Sequence, residues 1–119
     1  MQSIDPRKAR HLLRELPYEK RLPVGRMMVP KGIHQARIGS LEELEWTIRP
    51  MARTLVAMRL ENLARWLRED VGDVQLAEKV DEIRQNGACY VEQSKAVYEA
   101  LRERIERLRH AADREVPHA

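Results

Sequence analysis

Leu76, Val80, Ile83, Gly87, Tyr90, Ser94, Val97, Leu101, Ile105, Leu108 and Ala112 step along the chain by 4, 3, 4, 3, 4, 3, 4, 4, 3 and 4 residues. That near-heptad spacing keeps one stripe of a helix apolar, and it does not suit a strand, whose faces alternate at every second residue. At a rise of 1.5 Å per residue, a helix from Val74 to around Ala112 would be about 58 Å long. Glu99 with Glu103, and Glu103 with Arg107, give it the charge pattern of an exposed face.

A partner for that helix lies upstream. Ser40-Leu41-Glu42-Glu43 is a capping box, in which the Ser40 hydroxyl accepts from the N–H three residues on and Glu43 reaches back. The helix it opens is expected to run to about Asp70, with Leu41, Leu44, Ile48, Met51, Leu55 and Met58 on one stripe. Towards its end the apolar positions widen to Val56, Leu60, Leu63 and Leu67, with Trp66 beside them, a broader face than one neighbouring helix requires. Pro50 removes one hydrogen bond from this helix, so a kink or a break into two helices is expected there. Gly72 suits a left-handed cap and Asp73 the following N-cap, which makes Val71-Gly72-Asp73 the turn of a helical hairpin.

The first 39 residues are different. Asp5-Pro6 is a helix-opening pair, and a short helix from Pro6 to about Leu16 follows, ended by Pro17. From Pro17 to Gly39, three prolines and three glycines forbid a regular helix, and no clean alternation marks a strand. Yet Leu22, Val24, Met27, Met28, Val29, Ile33 and Ile38 are too apolar for a free linker. The stretch reads as an extended arm lying on a surface, either its own body or a partner.

Charge separates the same two parts. Residues 1–39 hold nine basic side chains (Arg7, Lys8, Arg10, Arg14, Lys20, Arg21, Arg26, Lys31, Arg37) against Asp5, Glu15 and Glu19, while the other 80 residues hold 13 basic and 16 acidic ones. The net +3 of the 119-residue chain therefore conceals a basic arm on a slightly acidic body. Length restricts the chain to one folded unit plus any tail. Three segments are expected: a basic helix and arm (1–39), a hairpin domain (40–113) and a tail (114–119). Charged residues make up 34% and Phe is absent, which favours long exposed helices over a deep core. No apolar run resembles a signal peptide or a membrane span, so a cytosolic protein without membrane contact is expected. Cys89 is the single cysteine, which fits a reducing compartment.

Chemistry-bearing motifs are scarce. Cys89 lies off the stripe with no cation or base at helical spacing to activate it, and reads as a partly buried structural residue. His11, His34, His110 and His118 form no metal-ligand spacing, and Glu106 with His110 reads as a surface pair. Met27-Met28 reads as flexible apolar filler. Gly25, Gly32 and Gly39 match neither phosphate-loop nor dinucleotide patterns. Gly87 and Ser94 on the stripe admit three readings: close helix packing, a helix break at Asn86-Gly87, or a ligand pocket. No catalytic motif, cofactor site or metal site emerges.

The sequence thus predicts an all-α protein: a short N-terminal helix, an extended arm, and a long antiparallel helical hairpin. Such a hairpin alone has too little core. Its open side is expected to associate into a four-helix bundle, as a homodimer or within a larger complex, through Leu55, Leu63, Trp66, Tyr90, Val97, Leu101, Ile105 and Leu108. The expected role is a non-enzymatic interaction or accessory subunit, with Lys20, Arg21, Arg26, Met27, Met28, Lys31 and Arg37 of the arm contacting a partner protein. The alternative is a nucleic-acid-associated protein, since the arm's run of cations suits phosphate. Tyr18 is the arm's one aromatic residue, however, which leaves few platforms for stacked bases.

Overall fold

Three local signals set the chain's first turns and caps. In the computed structural model, which describes residues 4–28, 32–49, 55–57, 59–86 and 89–113, helix α1 spans Pro6–Leu13 and the Asp5 carboxylate accepts from the Arg7 N–H at 2.9 Å. Ser40 Oγ accepts from the Glu43 N–H at 3.1 Å to open helix α2, Leu41–Ile48. Gly72 adopts φ +91°, a left-handed conformation that side chains other than glycine rarely take, and its N–H donates to Leu67 O. Asp73 then caps helix α4, Val74–Gln85, by accepting from the Leu76 N–H at 3.1 Å.

The expected extended arm is instead a β-hairpin. Strands β1 (Leu22–Met28) and β2 (Gly32–Ile38) pair antiparallel from Leu22↔Ile38 to Met28↔Gly32 without a bulge. At the base an alternation is readable: Leu22 and Val24 are buried while Pro23 between them is exposed. Pairing between strands of the chain supplies the rest, and pairing has no local signature.

The long helix expected from Ser40 to Asp70 is also interrupted. After α2, strand β3 (Leu55–Ala57) pairs with β1 through Gly25↔Ala57, Arg26↔Val56 and Met27↔Leu55, giving a sheet in the order β2-β1-β3. Helix α3 follows at Leu60–Trp66 and widens into one π-helical turn, Leu67–Val71. A short apolar run such as Leu55-Val56-Ala57 fits either a buried helix face or a strand, so periodicity alone misassigned it. Pro50, where a kink or break was expected, lies outside the described residues.

The second long helix is two helices. Helix α4 ends at Gln85 and helix α5, Tyr90–Asp113, doubles back along it. Gln93 Nε2 donates to Arg84 O near the turn, and Arg104 of α5 reaches Asp73 at the far end of α4. The molecule's longest dimension, 52 Å, is shorter than the single helix the spacing predicted. Gly87 itself lies outside the described residues, as do the tail 114–119 and His118.

The described residues are mostly helical, with five α-helices and one small sheet among them, so an all-α class fits the chain. The core is one cluster in which Leu12 and Leu16 from the N-terminal segment, Ile38 from β2, and Leu41 and Leu44 from α2 join Leu63, Leu67, Val80, Leu101, Ile105 and Leu108. Helices α1 and α2 pack on α5, and α3 packs on α4. Residues from 1–39 and from 40–113 therefore share one interior.

Candidate docking interface

The base of the basic hairpin is held from four directions. Leu22, Val24 and Ile38 bury their side chains in the core. Trp66, itself buried, donates from Nε1 to Lys20 O at 2.8 Å, satisfying an indole N–H that would otherwise lose its water partner. Arg21 Nε donates to Leu16 O at 3.0 Å, and its Nη2 stands 3.7 Å from Glu15 Oε1. Gly39 lies directly beneath that guanidinium: a Cβ there would come within 2.9 Å of Arg21 Nε. Leu16 N–H closes the junction by donating to Gly39 O at 2.7 Å.

On the outer side of this base, Arg37 lies over the Tyr18 ring at 4.7 Å from its centroid, and Tyr18 is 64% exposed. Arg37 and Lys20 are exposed as well. From Lys20 to Ile38 the chain contains no acidic residue. Arg26 takes its place in the strand opposite His34, Met27 opposite Ile33 and Met28 opposite Gly32. The side chains of Arg26, Met27 and Met28, and all of Lys31, lie outside the described residues.

The cations of the first 39 residues thus divide by task. Arg14 works inside the fold: Nη1 donates to His11 O at 2.7 Å and Val71 O at 3.0 Å, and Nη2 to Asp70 O at 2.8 Å, which caps the carbonyl end of the π-helical turn. Arg21, expected in the partner-binding set, is half-buried and donates to Leu16 O within the fold. Arg37 remains exposed on β2 and Lys20 on the short 3-10 turn Tyr18–Lys20 that leads into β1, and Arg7 and Lys8 are exposed on α1.

Glu42, in the first turn of α2, is engaged by α5. Arg109 Nη2 of α5 lies 2.9 Å from Glu42 Oε2. The hydrogen bond to Glu42 raises the Arg109 pKa above its ordinary value; the charges of Glu42, Glu45 and Glu106 add to this, and burial opposes it.

The surface expected to bind a second copy is interior. Leu63, Trp66, Val97, Leu101, Ile105 and Leu108 are all buried in the chain's own core. The stripe on α5 identified a buried face, and α1 and α2 of the same chain pack against that helix. The side chains of Leu55 and Tyr90, the other two members, lie outside the described residues.

One exposed feature had no place in the sequence reading. Trp46 on α2 is 66% exposed and Arg49 stacks over its ring at 3.6 Å, while the Arg49 guanidinium also donates to Trp46 O. A Trp-x-x-Arg spacing at a helix end was the available signal.

Cys89, expected to be partly buried, is exposed, and its carbonyl accepts from the Gln93 N–H at the start of α5. His11, Glu106 and His110 are exposed. Among the described residues no three His, Cys, Asp or Glu side chains stand together as a metal site, and no helix is long and apolar enough to cross a membrane. Comparison of the chain with protein-family models, with curated proteins and with solved structures finds no match.

Proposed function

We propose that this chain is an interaction or accessory subunit without catalytic activity, whose basic β-hairpin docks an acidic surface on a partner protein. The observation that carries this reading is a segment without acids, from Lys20 to Ile38, folded as a hairpin with Arg37 and Tyr18 exposed at its base. A paired base lowers the entropy cost of presenting cations, because strands β1 and β2 beside them are already held in register. Stacking on Tyr18 orients the Arg37 guanidinium for a carboxylate without neutralising it. Self-association into a four-helix arrangement draws no support from residues buried within one chain, and the reading rests on the hairpin.

The test is a titration of the full chain with polyglutamate over a range of salt concentrations, using paired variants of equal charge change. Lys20→Gln with Arg37→Gln is expected to weaken binding by about threefold to tenfold, the scale of two exposed ion pairs. Arg7→Gln with Lys8→Gln on α1 is expected to leave it nearly unchanged. Equal losses from both pairs would reduce the interaction to bulk charge, and binding to an oligonucleotide but not to polyglutamate would move the hairpin to the nucleic-acid alternative.

A further inference from the structure

Strand β2 has one partner among the described residues. It pairs with β1 over all seven of its residues, and in the order β2-β1-β3 it is the edge strand. The opposite edge, β3, covers only three residues of β1. An edge strand presents alternate N–H and C=O groups outward, and natural edges are usually blunted by proline, a bulge, short length or charged side chains. Strand β2 runs one to one from Gly32 to Ile38 without proline, and the protection it carries is the charge of Arg37, which repels a basic strand but not an acidic one. Seven residues extend for about 23 Å, enough for several ladder hydrogen bonds to an added strand.

Charge selects the occupant. Strand β2 carries His34 and Arg37 and no acid, within a hairpin that has none from Lys20 to Ile38. A second copy pairing edge to edge would bring two basic strands together, an arrangement that like charges disfavour. An extended segment rich in Glu or Asp meets cations and, at the same edge, main-chain groups that have no strand partner among the described residues. We infer that β2 receives an acidic, extended peptide segment of the partner as a fourth strand, so that main-chain hydrogen bonds supply affinity and Arg37 reads the charge. Leu16 N–H already occupies Gly39 O, just beyond the end of β2, so the added strand stops short of that junction.

This inference rests on the docking reading above, and its experiment separates the two. The full chain is titrated with three probes: a short capped peptide of alternating glutamate and valine, the same peptide N-methylated at alternate residues, and oligo(dT). Strand addition predicts binding of the first peptide, with amide-exchange protection appearing in β2, and at least about tenfold weaker binding of the methylated one, the loss expected when several main-chain hydrogen bonds are removed together. Equal binding of both peptides would overturn strand addition while leaving acidic docking in place. Failure of both peptides, whether or not oligo(dT) binds, would overturn both.

Discussion

Arg104 closes a two-point ion pair on Asp73, with Nε 2.9 Å from Oδ2 and Nη2 3.0 Å from Oδ1. The Asp73 side chain is 1% exposed and also caps α4, so one carboxylate fixes both the start of α4 and the position of α5 along it. Removing the cation strands a buried charge. Arg104→Leu is expected to cost about 3 kcal/mol in urea unfolding, and Asp73→Asn, which keeps a capping oxygen, distinctly less. Adding Asp73→Asn to Arg104→Leu should recover part of the loss. A cost for Arg104→Leu no larger than that of a surface ion pair would show that the carboxylate is better hydrated than its burial implies.

Arg14 ties α1 to the π-helical turn through the carbonyls of Asp70 and Val71. A lysine keeps the charge but not the planar fork that reaches two carbonyls at once. Arg14→Lys should therefore destabilise the fold by about 1 kcal/mol and Arg14→Met by about 2 kcal/mol, read as shifts in the unfolding midpoint. Equal stability of the lysine variant and the wild type would mean that the charge alone suffices.

Gly39 and Arg21 are coupled by contact. A Cβ on Gly39 would approach Arg21 Nε to 2.9 Å while that nitrogen is held by Leu16 O. Gly39→Ala should cost about 1 kcal/mol in the wild type and much less when Arg21 is already alanine. A double-mutant cycle with additive losses would contradict the contact.

The two tryptophans should report opposite environments. Trp66 is buried with its N–H on Lys20 O, whereas Trp46 is 66% exposed. Emission from a Trp46→Phe variant should be blue-shifted and poorly quenched by acrylamide, and emission from Trp66→Phe red-shifted and readily quenched. Similar quenching of both would place Trp66 outside the core. Trp66→Phe should also loosen the hairpin base, seen as faster exchange of the amides near Lys20.

Caps and turns were legible because their chemistry is local. Asp5 before Pro6, Ser40 three residues before Glu43, and Gly72 before Asp73 act within a few residues: Asp5, Ser40 and Asp73 accept from the N–H groups of the first turns, and Gly72 takes the left-handed conformation. The stripe from Leu76 to Leu108 identified buried positions such as Leu76, Val80, Leu101 and Ile105, but a periodic stripe specifies a face and not its cover. That gap produced the expected single long helix and the placing of an association surface on residues that the chain itself buries. Strands β1 and β3 are separated by the whole of α2, so their pairing depends on distant residues that no local pattern reports. For the candidate site, Lys20 and Arg37 could be proposed from the charge run alone. The structural duties of Arg14 and Arg21 could not, since they depend on carbonyls brought close only by folding.

The central claim is that the basic hairpin is the docking element, and amide shift mapping of the full chain during addition of the alternating glutamate-valine peptide tests it most directly. The account predicts that the perturbed amides cluster between Lys20 and Ile38, strongest along β2, and that the shifts diminish as salt is raised. Perturbations centred on α1, on Trp46 and Arg49, or on the outer face of α5, with the hairpin unchanged, would contradict it.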